Sequence, residues 1–231
     1  MFCTDYTYVE EREQGLYAAP LRCRRWSCEH CHDMRRRELI RLGLSGNPDT
    51  FITLTVNPDR FAGPDERAQR LKDAWSAVRR KACKVYGYTA IPFLAVFEKT
   101  KRGEPHLHIL ARCEWIDQAW LSEQMNTRIG APIVDIRRIN SRKKAAGYVA
   151  KYAGKNPERF QGTKRYWRSQ DWEVSPHPEA EDDDQPKGDW YIVPERFGNY
   201  LAMVTAQGMT YEWRRHGVII YEDGWSPWHA P

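Results

Sequence analysis

The stretch EPHLHIL places His106 and His108 two residues apart. On a β-strand that spacing projects both imidazoles from the same face, a ready bidentate metal site. A carboxylate could complete it. Glu98 ends the preceding apolar run and lies across a hairpin turn from the histidines; two histidines and one carboxylate leave coordination positions open for substrate oxygens. Glu104, in the turn itself, is the competing carboxylate. Mixed nitrogen and carboxylate donors of this kind suit Mg²⁺ or Mn²⁺ acting as a Lewis acid on a phosphate. Further along, GYVAKYAGK (147–155) carries Tyr148 and Tyr152, each followed three residues later by a lysine, Lys151 and Lys155. Positions i and i+4 share a helix face. Taken alone, the two phenols read as the packed stripe of an amphipathic helix. A tyrosine can also form a covalent phosphoester, and with an ordinary pKa of about 10 it needs nearby positive charge to attack as phenolate. Lys151, Lys155 and Lys144 supply that charge.

The elements that would position these residues follow from local pattern. FITLTV (51–56) is β-branched and apolar and predicts a buried strand. Residues 65–86 repeat apolar positions at Ala68, Leu71, Trp75, Val78, Ala82 and Val85, with Pro64 before and Gly87 after, predicting a helix. IPFLAVFE (91–98) and HLHILARC (106–113) predict two strands joined as a hairpin through KTKRGEP. A second helix is expected over 117–129, with Trp120, Leu121 and Met125 inward, then a strand at 132–139. Ser141 is a candidate N-cap for the tyrosine-bearing helix. Gly147 costs about 1 kcal/mol in a helix interior, which would be repaid if another backbone or a ligand approached there. GTKRYWRS is expected as an edge strand, 173–189 as an acidic, proline-rich linker, and the aromatic-rich end as strands and turns.

Three cysteines fall in CRRWSCEHC: Cys23, Cys28 and Cys31. In a reducing compartment such a cluster reads as a metal site, one ligand short of a tetrahedral structural zinc. Cys3 is favoured as the fourth; His30 and His32 compete but adjoin a cysteine ligand, which makes chelation awkward. Cys83 and Cys113 sit in apolar segments and read as small buried side chains. The chain has 231 residues and a formal net charge of +5, enough for one good core and a small appendage. Arg137, Arg138, Arg142, Lys143, Lys144, Lys151 and Lys155 form an acid-free basic block, either a solvated face or a phosphate-binding surface such as DNA would need. No secretory leader and no apolar span are visible, so a cytoplasmic protein without a membrane partner is expected. The P-loop pattern is missing, which argues against a built-in nucleotide-driven motor. A histidine-triad hydrolase would need a third histidine at position 110, which is leucine. A barrel amidohydrolase would need more ligands and a longer chain.

FITLTV, EPHLHIL and YVAKYAGK, in this order, resemble the three motifs of HUH endonucleases. More narrowly they resemble two-tyrosine rolling-circle replication initiators (Rep) of small circular single-stranded DNA phages (Microviridae-like) and related plasmids. The resemblance covers roughly residues 50–170, and in that family the third metal ligand is often a glutamate eight residues before the first histidine, here Glu98. It implies an α+β fold, an antiparallel sheet with helices on one face (ferredoxin-like), preceded by a Cys-rich zinc element. The expected division is a zinc-binding segment and basic helix at 1–45, a nuclease domain at 46–170, and an acidic linker with an aromatic-rich end at 171–231. The implied reaction is nicking of a single-stranded DNA origin. Tyr148 would form a 5′-phosphotyrosine link and free a 3′-OH for the polymerase and helicase of a bacterial host, and Tyr152 would act in termination. A transposase or relaxase with the same chemistry, or a non-catalytic zinc-containing DNA-binding regulator, are the alternative readings.

Overall fold

The computed structural model describes residues 3–155, 159–173, 188–214 and 216–221, excluding the side chains of 152–155. It is α+β, with two antiparallel five-stranded sheets and five helices among the described residues. The chain divides into two compact units, Asp33–Ser175 and Met1–His32 with Pro176–Pro231.

The central unit is built on the sheet β6-β3-β5-β4-β7: β3 (Thr50–Leu54), β4 (Phe93–Lys99), β5 (Pro105–Ala111), β6 (Val134–Arg138) and β7 (Tyr166–Arg168). Strands β4 and β5 form the expected hairpin, with Glu98 directly opposite His106. Strand β3 lies between β5 and β6, pairing Thr53 with His108 on one side and Asp135 on the other. Side chains alternate along each strand. Ile52, Leu54, Phe93, Ala95, Phe97, Leu107, Ile109 and Ala111 all enter the main core. Two helices close that face, α2 (Pro64–Tyr86) and α3 (Gln118–Ile129). Pro64 opens α2 with acids in its first turn, and Gly87 ends it at φ 72°, the left-handed conformation that glycine adopts freely. In α3 the Asp117 side chain accepts from Trp120 N at 2.8 Å, and Gly130 caps the other end. Leu71, Trp75, Val78 and Ala82 are buried as expected, but Val85 is 52% exposed. It occupies the last turn of α2, outside the stripe that ends at Ala82.

Helices on one face only were expected; the structure places helices on both. Helix α4 (Arg142–Lys155) contacts β4 and β5 from the face that carries His108 and Phe51, both of which meet Tyr148 of α4. Ala146, Val149 and Ala150 form its buried stripe. The later part of α1 (Glu29–Ser45) reaches the same face, because a Cβ on Gly43 would meet Ala146 Cβ and Leu110 Cδ1. These residues are small, so the packed stripe of α4 is inconspicuous in sequence.

In the other unit the sheet order is β8-β1-β2-β10-β9. It comprises β1 (Thr7–Arg12), β2 (Gly15–Pro20), β8 (Trp190–Val193), β9 (Thr210–Trp213) and β10 (Val218–Tyr221). Helix α5 (Phe197–Ala206) packs Tyr200, Leu201 and Val204 against Val9, Ala18, Val218 and Ile220. Strands and turns were expected over this end of the chain, and α5 corrects that. Most of the expected acidic linker, 174–187, lies outside the described residues. No helix among the described residues is long and apolar enough to cross a membrane.

Two glycines make opposite demands. A Cβ on Gly46 would overlap the indole of Trp172, which is 1% exposed and donates Nε1–H to Leu42 O at 2.8 Å. A Cβ on Gly147 would meet nothing, so no neighbouring protein group requires that glycine. Gly46→Ala is therefore expected to destabilise by about 1–3 kcal/mol through overpacking. Gly147→Ala should stabilise by up to about 1 kcal/mol. Urea denaturation midpoints of the two variants test both signs.

Candidate functional site

The face of the central sheet opposite the main core brings the histidines and Glu98 together. His108 is 3% exposed, and both of its ring nitrogens are engaged. Nδ1 lies 3.2 Å from Thr53 Oγ1 and Nε2 lies 2.9 Å from Glu98 Oε2. The His106 and His108 rings have centroids 6.4 Å apart. Burial pushes the pKa of both imidazoles down, outweighing the upward pull of Glu98 on each and of Glu104 on His106. Both are thereby favoured in the neutral form that metal ligation requires. Glu104 is committed differently. Its Oε1 pairs with Arg67 at 2.6 Å, while its buried Oε2 has no hydrogen-bond partner among the described residues.

The donor set fits a hard divalent ion. Two adjacent ligands on an octahedral ion with bonds of about 2.1 Å lie about 3 Å apart, which matches the Nε2–Oε2 separation. Thr53 fixes the ring through Nδ1 and so turns Nε2 toward the carboxylate, the usual way a ligating histidine is oriented.

Tyr148 comes to this site from α4. Its ring stands edge-on to His108 (5.8 Å, 82°) and to Phe51 (5.5 Å, 79°), yet it remains 44% exposed. It is thus beside the histidines and open to solvent, rather than sealed in the core. Ser141 O accepts from Ala145 N at 3.0 Å, and Ser141 Oγ accepts a longer bond from Lys144 N at 3.4 Å, which starts the helix as its sequence suggests. Lys151 is exposed on the same helix. The backbone of α4 carries Tyr152 and Lys155 one turn further on, but their side chains lie outside the described residues.

The basic block is not uniform. Lys143, Lys144 and Arg138 are exposed. Arg137 pairs with Asp135 at 2.9 Å. Arg142 bonds Asp49 at 3.0 Å, Pro48 O and Asn47 Oδ1, so it ties the start of α4 to the entry of β3. Sequence inspection missed the positioning role of Thr53, whose partnership with His108 depends on strand register.

In the other unit, the β1–β2 hairpin returns the chain so that Thr4 N donates to Leu21 O and Leu21 N to Tyr6 O. That brings Cys3 beside Cys23, Cys28 and Cys31, with all four sulfurs within 4.8 Å of one another. Cys3 and Cys31 Sγ are 3.3 Å apart, and Cys23 and Cys31 are 3.8 Å apart. A tetrahedral zinc with bonds of about 2.3 Å places its sulfurs about 3.8 Å apart, so the cluster could hold such an ion. His30 and His32 stand outside it. His30 is near Glu29 at 3.7 Å, and His32 Nδ1 is within 3.1 Å of Trp26 O. Burial pushes the Cys3 thiol up to about 12, whereas the backbone N–H of Arg25 lowers Cys23 to about 7. Cys113 is buried and pushed up to about 11, chiefly by desolvation, as an inert core thiol should be.

Comparison with known proteins meets this geometry on the central unit. Residues 49–157 match a family model described as "Replication-associated protein", of the ORF2 type. The match runs from the entry of β3 to just past α4, and so includes Glu98, His106, His108 and Tyr148. A virus protein is also similar, "Uncharacterized protein 1" of Halorubrum pleomorphic virus 1, at 29% identity over 132 residues. That alignment covers 48% of this chain and 26% of the relative, so the chain spans about a quarter of that protein's length. No solved structure matches.

Purified protein is expected to contain about one zinc per chain by elemental analysis, bound by the four thiolates. Cys31→Ser should lose most of that zinc and lower the melting temperature. Unchanged zinc content in both Cys31→Ser and Cys3→Ser would remove the cluster from consideration.

Proposed function

We propose that this protein initiates replication by nicking single-stranded DNA, with Tyr148 as nucleophile. The observation that carries this reading is the half-exposed Tyr148 ring standing 5.8 Å from the neutral-leaning, buried His108. The match of the same stretch to a replication-associated family supports the biological setting.

The phenol oxygen of Tyr148 attacks the scissile phosphorus as the phenol loses its proton. The P–O3′ bond breaks, the leaving 3′ oxygen gains a proton, and the chain retains a 5′-phosphotyrosine. The freed 3′-OH is the primer for a host polymerase acting with a host helicase. Lys151 and Lys144 stabilise the phenolate and the added charge on phosphate. Mg²⁺ or Mn²⁺ held by His106, His108 and Glu98 would supply Lewis-acid polarisation of the phosphate. Tyr152, with Lys155, is assigned the second transfer, in which the regenerated origin is cut and the old 3′-OH displaces the first tyrosine. The four cysteines hold a structural zinc. Arg138, Lys143 and Lys144 hold DNA phosphates, with Arg137 and Arg142 contributing where their acidic partners allow. The site of action is the cytoplasm of a bacterial host.

Incubation with labelled single-stranded oligonucleotides and Mn²⁺ should give an SDS-resistant adduct. Tyr148→Phe should abolish the first adduct, and His108→Ala should lower its rate by at least about 100-fold. Persistence of the adduct in the Tyr148→Phe, Tyr152→Phe double variant would refute tyrosine chemistry.

A further inference from the structure

Beside Tyr148 lies a cleft of ≈ 410 Å³ between the β3–β6 edge, the turn at 139–141 and the start of α4. Its volume falls within the range of small-ligand sites and suits a single nucleotide. The rings of Phe51 and Tyr148 line it at 79° to each other, so a flat guest can face one while touching the edge of the other. Arg138 and Lys144 bring positive charge to the lining. Asp135 and Asn140 also line it. Asp135 makes the cleft a poor hole for a bare phosphate, since its carboxylate would repel one. Asn140 is exposed, and its amide carries both donors and an acceptor, the pattern that pairs with a base edge through two hydrogen bonds. A water-filled dent between a strand edge and a helix would need neither the paired rings nor this mixture of charges.

We propose that the cleft receives one unpaired nucleobase of the DNA strand next to the phosphate presented to Tyr148, and that Asn140 is the specificity-determining residue reading its edge. This rests on the nicking reading for its register, because only a strand whose phosphate sits at Tyr148 places a neighbouring base here. Phe51 and Tyr148 stack on the base, and Arg138 and Lys144 hold the adjoining phosphates without regard to sequence.

Two measurements separate failure of this inference from failure of the nicking reading. In the first, wild-type and Asn140→Ala proteins react with single-stranded oligonucleotides carrying a randomised segment, and the covalent adducts are sequenced. Wild type should prefer one base at a fixed position beside the joined phosphate by about tenfold or more. Asn140→Ala should lose that preference at that position alone. An unchanged preference overturns the pocket and leaves nicking intact. The second measurement needs no chemistry. Fluorescence anisotropy follows binding of oligonucleotides in which one abasic nucleotide is stepped along the site, using the Tyr148→Phe protein with and without Asn140→Ala. A loss of about tenfold at one position, present only with Asn140, supports the pocket even if no adduct ever forms. Equal losses at all positions, the same profile with and without Asn140, or no binding overturn it.

Discussion

Side-chain alternation along β5 is the constraint from which the site follows. Leu107, Ile109 and Ala111 are sealed into the core, while His106, His108 and Leu110 take the opposite face. Burial of each large apolar side chain is worth about 1.5–3 kcal/mol, so the core holds the strand in register. A slip of one residue would exchange the two sets, sending imidazoles into the core and Ile109 to the site. The hydrophobic side of β5 therefore sets where its chemistry points. The same register aligns Thr53 and Glu98 with His108, whose burial would be costly without partners for its ring nitrogens.

Much of the central unit is legible in sequence because its signals are local. The α2 stripe, the Asp117 cap and the glycine stops at 87 and 130 each act within a few residues. The placement of Glu98 opposite His106 follows from a tight hairpin, where register is fixed by the turn. What escaped were pairings between distant segments. β1 lies beside β8 and β2 beside β10, and nothing in the strand patterns names those partners. Helix α5 escaped for another reason: FGNYLAMVTA mixes glycine, valine, threonine and tyrosine, which are indifferent helix formers, and packing decides its state. Val85 fits the helical period yet falls beyond the packed stripe. Periodicity alone cannot show where a helix runs out of sheet.

The candidate site divides along the same line. His106, His108, Glu98 and Tyr148 stand out by type and spacing, whereas Thr53, Phe51 and Asn140 carry no local signal. Their roles arise from the meeting of β3, β6 and α4. Arg142 shows the converse. Composition grouped it with the surface cations, but three contacts at the entry of β3 give it a structural duty as well. The family match begins at that entry, whereas the cysteine cluster and its sheet lie outside the matched stretch.

The contact between Gly43 and Ala146 bears on the reach of Tyr148. With no side chain on one partner and a methyl on the other, α1 and α4 approach as closely as their backbones permit. Ala146 is two residues from Tyr148, so the height of that ring above His108 is gauged by the two smallest side chains in the protein. A spacer this thin has no torsions to relax. The distance between ring and imidazole is thus set by backbone against backbone, and any enlargement at Gly43 would be transmitted to the ring as a displacement, with no rotamer available to absorb it.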